Sequence, residues 1–322
     1  MENERMTLED FLRMWHDGLP ELTVFTSGST GKPKKMRVEK ERMVNSARMT
    51  LSFLGLERGQ TALLCMPLDF IAGKMMVVRA EVGGLRLISV PPSGHPMSHP
   101  EIAGQPVDFA AMVPLQVYNS LQVEEERRRL MNVRHLIIGG GAVDTHLARQ
   151  LHSFPHAVWS TYGMTETLSH IAMRRISGPE ASEWYSPLPG VRVWANEEDC
   201  LVVEAPAVSR EQIVTNDIVE MHSDGRRFKV RGRKDHVICC GGVKIQAEEV
   251  ERLLEPYLSQ PFLITKAKDE KFGEIPVMMV EGEPVSTLKE IFDNVLPKYW
   301  IPKKVVCVRQ LPRTATGKPK RI

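Results

Sequence analysis

Four short apolar runs, "TALLCMP", "LRLISVP", "VDFAAMVP" and "VRHLIIGGG", recur between residues 61 and 141, each bounded by glycine, proline or polar residues. Runs of this length suit strands buried on both faces. Between them lie helix-like stretches. "IAGKMMVVRAEVGG" is closed by Gly83 and Gly84, and "AVDTHLARQLH" follows the last apolar run. A strand-helix-strand rhythm predicts an α/β fold, with a mostly parallel sheet and helices packed on it. In such sheets ligands collect at the carboxyl ends of the strands. The strand-to-loop transitions are therefore the places to search for function.

The first transition is "FTSGSTGKPKKM", residues 25–36, which leaves the apolar run "LTVF". Gly28 and Gly31 allow close approach of a ligand to the main chain. Thr26, Ser27, Ser29 and Thr30 supply hydroxyls, and Lys32 and Lys34 supply positive charge. This donor set suits a phosphate chain. A solvated turn between two strands has the same composition, so the stretch alone leaves both readings open. The spacing excludes a Walker A loop. Two residues, not four, separate Gly28 from Gly31, and Pro33 stands where the magnesium-binding hydroxyl would be.

The 322 residues suffice for two domains. Charged residues make up 25% and hydrophobic ones 42%, an ordinary soluble composition, and a net charge of +2 gives no case for nucleic acid. No apolar run approaches the roughly 20 residues of a membrane span. "MENERMTLED" lacks the apolar core of a signal peptide. The five cysteines form no CxxC pair, and the ten histidines form no HExxH pattern. Reduced thiols in a cytoplasmic protein are expected.

The rhythm changes after about residue 186. "PLPGVRVWANEEDCLVVEAPAV" and "RFKVRGRKDHVICCGG" read as short strands with turns. "QAEEVERLLEPYL" places Val250, Leu253, Leu254 and Tyr257 on one helical face, and "FLITKAK" and "PVMMVEGE" are further strands. A large domain over residues 1–233 and a small α+β domain over 234–322 are expected.

Further polar stretches stand at transitions. In "STYGMTETLSHIA", residues 160–172, Glu166 lies between Thr165 and Thr167. A carboxylate beside a phosphate loop repels its ligand unless a cation such as Mg²⁺ lies between them. In "TNDIVE", Asp217 can accept two hydrogen bonds from a ribose diol. "VRGRKDHVICCGGVKIQAEEVE" and "LPRTATGKPKR" hold Arg233, Asp235, Gly241, Gly242 and Lys318. Each is weak when read singly.

Their order is informative. "TSGSTGKPK", "YGMTET", "TND", "GRKDHVICCGGVKI" and "PRTATGK" together resemble the adenylate-forming superfamily of acyl-CoA synthetases, adenylation domains and luciferases, from residue 22 onward. The resemblance implies that ATP, Mg²⁺ and coenzyme A are used on a small-molecule carboxylic acid. It implies that Thr26, Ser27, Gly28, Ser29, Thr30, Gly31 and Lys34 embrace the ATP phosphates, and that Glu166 holds the metal. Tyr162, with Gly163 and Thr165 beside it, would lie near the adenine, and Gly139, Gly140 and Gly141 would line the nucleotide pocket. Asp217 would bind the ribose, with Arg233 as its neighbour. Lys318 would reach the acyl carboxylate and the α-phosphate. For thioester formation the small domain would rotate about Asp235 and present Gly241, Gly242 and Lys244 to CoA. Two departures stand out. Only 25 residues precede the phosphate loop, so the resemblance implies a reduced N-terminal region. Asn216 replaces the usual glycine of Thr-Gly-Asp.

Within that superfamily, "YGMTETLSHIA", "MPLDFIAGKMMVVRAEVGG" and "MVPLQVYN" look like the o-succinylbenzoate–CoA ligases of menaquinone biosynthesis. His170 stands where those enzymes usually have glutamine, Phe70 replaces a common histidine, and Lys74 replaces an apolar residue. That acid carries a second carboxylate, whose pocket needs a cation or several donors. Lys74, Ser169 and His170 are the candidates. The alternatives are another aryl- or acyl-CoA ligase, or an adenylation domain that loads a carrier protein.

Overall fold

The computed structural model describes residues 5–25, 35–312 and 321. The expectations for Thr26, Ser27, Gly28, Ser29, Thr30, Gly31, Lys34 and Lys318 lie outside the described residues. Contacts divide the chain into two compact units. One is Met1–Val193 with Val203–Ile213, and the other is Trp194–Val202 with Val214–Ile322.

The first unit opens with α1 (Leu8–Trp15), whose N-terminus carries a reciprocal Thr7–Asp10 capping box. The antiparallel pair β1 (Glu21–Phe25) and β2 (Lys35–Glu39) follows, with Phe25 opposite Lys35. The stretch "KMRVEK", which shows no period, is thus largely a strand. Next come α2 (Lys40–Leu54), β3 (Thr61–Leu64), α3 (Ile71–Gly83), β4 (Arg86–Ser89) and β5 (Phe109–Met112). After them are α4 (Pro114–Gln122), α5 (Glu124–Met131), β6 (His135–Ile138), α6 (Thr145–His152) and β7 (Ala157–Gly163). β8 (His170–Arg175) and β9 (Ser186–Pro187) complete a sheet of order β4-β3-β5-β6-β7-β8-β9. Its first five strands are parallel neighbours, and β8 and β9 are antiparallel. This is the expected α/β arrangement. Every residue of β3 and β5 is buried, which is why those strands read as apolar runs.

Helix α3 is buried on all sides from Gly73 to Ala80. Seven of the ten residues from Ile71 to Ala80 are aliphatic or methionine, and an all-round apolar helix belongs in a core. Two cations, Lys74 and Arg79, are carried into that core with it.

Between residues 192 and 233 the chain forms a four-stranded sheet in sequence order. Its strands are β10 (Arg192–Ala195), β11 (Cys200–Glu204), β12 (Ile213–Met221) and β13 (Phe228–Arg233). The α+β part then runs β14 (Val237–Cys240), β15 (Val243–Gln246), α7 (Ala247–Leu254), β16 (Phe262–Asp269), β17 (Gly273–Glu281), α8 (Leu288–Val295) and β18 (Lys304–Val308). Its sheet has the order β15-β14-β17-β16, with β18 parallel to β17. Ile238, Ile245, Val250, Leu254, Ile264, Met278 and Phe292 form its core. Tyr257 departs from the expected helical face and is 57% exposed. Pro256 converts the end of α7 to a 3-10 turn, and the phase is lost there.

Candidate active site

The carboxyl edge of the parallel strands gathers the described candidates that follow β6 and β7. β6 and β7 are parallel neighbours, so the loops that leave them lie side by side. β6 delivers Gly139, Gly140 and Gly141. β7 delivers Tyr162 and Gly163, then a 3-10 turn, Thr165–Thr167, with Glu166 exposed on it. Thr167 stitches this turn, its Oγ1 accepting from the Met164 N–H at 3.0 Å and donating to the nearer carbonyl, that of Ser169, at 2.7 Å. Gly163 is required by close approach, since a Cβ there would sit 2.2 Å from the Ser169 carbonyl oxygen. Tyr162 is buried, its ring 5.9 Å from that of Tyr185. Phe25, the last described residue before residue 26, bridges to Phe70 in the loop that follows β3. The end of β1 therefore belongs to the same edge.

Four polar side chains close a ring beside this edge. Arg79 of α3 is 2% exposed. Its Nη2 donates to Ser169 Oγ at 2.5 Å, and its Nε donates to Thr50 Oγ1 of α2 at 3.2 Å. Thr50 Oγ1 lies 3.0 Å from His170 Nε2, and Ser169 Oγ lies 3.4 Å from His170 Nδ1. Arg79 Nη1 faces the Met76 sulfur at 3.9 Å. No carboxylate among the described residues pairs with Arg79. Burial pulls the guanidinium down to about 9, still cationic at neutral pH. Burial, then the Arg79 charge, hold His170 well below the ordinary histidine range, so its imidazole is neutral.

The structure thus brings together two of the expected acid-pocket residues, Ser169 and His170. Lys74 is placed differently. It is 1% exposed, and its Nζ donates to the Leu68 carbonyl and, at 3.3 Å, to that of Asp69. Burial lowers its ammonium from the usual lysine range, against the opposing pull of Asp69. Phe70 is half-buried and caps the N-terminus of α3. Arg79 and Thr50 are residues that the sequence reading passed over. Arg79 had a signal, a second cation in the otherwise apolar stretch from Ile71 to Ala80. Thr50 had none.

In the second unit Asp217 on β12 faces Arg233 on β13 in register, with 3.2 Å between Oδ1 and Nη1. Arg233 Nη2 also donates to Asp235 at 2.8 Å, and Asn216 Nδ2 donates to Asp235 Oδ1 at 3.2 Å. Asp235 sits in the 3-10 turn Lys234–His236. Gly241 and Gly242, with φ of 57° and 84°, form the two-residue turn that joins β14 to β15. Lys244 is exposed just after it.

The first-unit edge fits a hard divalent cation brought in by phosphates. Glu166 is exposed on its turn and has no pairing partner among the described residues. No group of three metal-ligating side chains occurs among the described residues. One carboxylate with open positions is what magnesium on a nucleotide uses, rather than an all-protein cage. No helix among the described residues is long and apolar enough to cross a membrane.

Comparison with known proteins agrees with this architecture. A family model for AMP-binding enzymes matches residues 20–202. A 2-succinylbenzoate–CoA ligase from Bacillus cereus (strain ATCC 10987 / NRS 248) is 27% identical over 92% of this chain and 67% of its own length. The chain therefore spans about two thirds of that relative. The crystal structure of an acyl-CoA synthetase (AMP-forming)/AMP-acid ligase II-like protein from Dyadobacter fermentans DSM 18053 superposes with a TM-score of 0.66 at 33% identity, over 96% of this chain and 90% of that one. The o-succinylbenzoate coenzyme A synthetase of Bacillus subtilis, in complex with ATP and magnesium ion, gives a TM-score of 0.77 at 23% identity, over 93% and 68% of the two chains. That last likeness concerns the fold.

Proposed function

Because the chain belongs to the AMP-binding enzyme family, we propose that it is an ATP-dependent, AMP-forming ligase that joins a carboxylic acid to coenzyme A, with o-succinylbenzoate as the acid. In the first step a carboxylate oxygen attacks the α-phosphorus of ATP, and the bond to pyrophosphate breaks. In the second, the CoA sulfur attacks the acyl carbonyl after losing its proton, and AMP leaves. Both steps bring anions together, so the protein must supply positive charge and donors where negative charge builds.

The observation that carries the acid assignment is that Arg79, almost fully buried, has no carboxylate partner among the described residues. Burying a guanidinium without a counter-charge costs several kcal/mol, on the order of the penalty for one desolvated ion. A ligand with a carboxylate to spare offsets that cost, and a plain fatty acid has none once its single carboxylate is activated. Arg79 and Ser169 hold the ring carboxylate in this reading, while the succinyl carboxylate is activated. The 27% identical ligase named for 2-succinylbenzoate supports the same acid.

The remaining roles follow the chemistry of each group. Glu166 would hold Mg²⁺, which would supply charge neutralisation on the phosphates, and Thr165 lies with the residues that border the nucleotide. Gly139, Gly140, Gly141, Tyr162 and Gly163 border the nucleotide. Thr26, Ser27, Gly28, Ser29, Thr30, Gly31 and Lys34 take its phosphates. Asp217 accepts the ribose hydroxyls, held for that role by Arg233. Lys318 serves the adenylation step, Asp235 is the pivot of the small domain (residues 234–322), and Gly241, Gly242 and Lys244 serve CoA. The five free thiols suit a cytoplasmic setting.

The test is direct. Purified protein is incubated with ATP, Mg²⁺, CoA and o-succinylbenzoate, and the thioester is sought by mass spectrometry. A panel of mono-acids, and a carrier protein in place of CoA, run beside it. The thioester and AMP are expected with o-succinylbenzoate and CoA. Efficient activation of another acid alone would overturn the substrate and keep the ligase chemistry. Transfer to the carrier protein alone would overturn the CoA step.

A further inference from the structure

We infer that His170 and Thr50 are positioning residues of the acid pocket, holding Arg79 in place and turning the Ser169 hydroxyl proton toward the ligand carboxylate. This rests on the acid-pocket reading above.

The argument is one of proton counting around the ring. Arg79 can only donate, so Thr50 Oγ1 and Ser169 Oγ each accept from it, at 3.2 and 2.5 Å. Each hydroxyl then has one proton left. That of Thr50 has two acceptors in reach, His170 Nε2 at 3.0 Å and the Ser46 carbonyl at 3.2 Å. A proton on the nearer bond makes Nε2 an acceptor. A neutral imidazole must then carry its own proton on Nδ1, which faces Ser169 Oγ at 3.4 Å. Ser169 Oγ now accepts from both Arg79 and His170. Its proton has no place inside the ring and points outward, and Ser169 is the half-buried member that reaches the edge. In the other tautomer the Ser169 proton turns inward to Nδ1, and an oxygen lone pair would face the incoming carboxylate.

The chemistry of residue 170 explains why a histidine serves. A carboxylate there would brace Thr50 equally well and cancel the Arg79 charge. A lysine would repel the guanidinium. A neutral imidazole does neither. Burial and the nearby Arg79 charge keep it in that form. The two hydroxyls that pin Arg79 are also uncharged, so its full positive charge stays available to a ligand.

The test compares o-succinylbenzoate with benzoylpropionate, the same acid without its ring carboxylate, by pyrophosphate release from the full chain. Thr50→Val and His170→Ala are expected to raise the KM for o-succinylbenzoate about tenfold, the scale of one lost hydrogen bond to a charged group. The KM for benzoylpropionate, the KM for ATP and kcat should stay at wild-type values. Thr50→Ser and His170→Gln, which keep the donors and acceptors, should restore discrimination between the acids. Nitrogen NMR of the wild type, assigned with His170→Gln, should show a neutral His170 protonated on Nδ1. An unchanged KM ratio in folded Thr50→Val and His170→Ala overturns the inference, as does an Nε2-protonated ring. If the Val and Ala variants do not fold, the tautomer decides alone. Arg79→Met separates the two readings. If it too leaves the ratio unchanged, the acid pocket itself is wrong. If it collapses the ratio while the bracing variants do not, only the bracing role fails.

Discussion

The two units treat an arginine side chain withdrawn from water in opposite ways. In the first, Arg79 meets two hydroxyls, a methionine sulfur and no carboxylate among the described residues. In the second, Arg321 meets Glu251 at 2.6 Å and Glu248 at 3.5 Å, and its Nε donates to the Ile264 carbonyl at 3.0 Å. Glu251 also accepts from the Ile264 backbone N–H at 2.7 Å. Arg321 thus ties the chain to α7 and β16 and has little left to offer a ligand. Arg79 is held by groups that leave its charge intact. Arg321, with two acidic partners and a carbonyl, is a fastening, and Arg79, with no carboxylate among the described residues, is the cation proposed above for the ligand.

The same substitution at the two arginines should therefore have opposite consequences, and the largest expected effect lies at the first. Arg79→Met should raise the KM for o-succinylbenzoate about a hundredfold or more, since an unpaired ring carboxylate in a dry site costs about 3–5 kcal/mol. Its thermal stability should be unchanged or higher, because an uncompensated charge leaves the core. A loss of stability with unchanged acid kinetics would place Arg79 beside Arg321 as a structural group. Arg321→Met should instead lower stability by about 2 kcal/mol, the scale of hydrogen bonds between charged groups. Urea unfolding of both variants, read against wild type, checks the contrast.

A smaller effect sharpens the second region. Burial raises the Glu251 carboxyl from 4.5 to about 7, against the lowering pull of Arg321 and the Ile264 N–H. The folded state then holds a proton that the unfolded chain releases above about 4.5. Stability contributed by this group is highest at low pH and falls as pH rises toward about 7, after which the penalty is constant. Glu251→Gln imitates the protonated form. It should match wild type near pH 5 and be more stable near pH 8, which would show in unfolding curves at the two values. An equal effect at both would mean that Arg321 holds Glu251 ionised throughout.

Much of the scaffold was legible, and the ring around Arg79 was not, for physical reasons. β3, β5 and β6 are buried on both faces, so their burial was written as apolar runs. Gly83 and Gly84 marked the end of α3, whereas the hairpin turn at Gly241–Gly242 emerged only with the structure. β2 escaped because three of its five residues are charged and only Val38 is buried, so the pairing with β1 is what defines it. The Arg79 ring joins residues 29, 90 and 120 positions apart. No local spacing encodes such a cluster. Its trace in the sequence is a charge in an apolar helix, and Lys74 leaves the same trace five residues earlier. The sequence could not tell the two cations apart.

Lys74 provides the smallest expected effect and the finest test of that difference. Both cations lie on α3 and are almost completely buried. The Lys74 ammonium is engaged by the carbonyls of Leu68 and Asp69, in the loop that delivers Phe70 and the start of the helix. Three donors on a flexible stem suit such carbonyls, whereas a planar guanidinium suits a carboxylate. Lys74→Met keeps the length of the side chain and removes the donors. It leaves carbonyl oxygens short of a partner, at about 1 kcal/mol of stability. The ratio of KM values for o-succinylbenzoate and benzoylpropionate should stay within about twofold of wild type, a factor well under the 1.4 kcal/mol of a tenfold change. If the ratio instead collapses as in Arg79→Met, Lys74 leaves its carbonyls when the acid arrives. The second carboxylate would then be held by two cations of α3, and the contrast between a fastened charge and a free one would fail within a single helix.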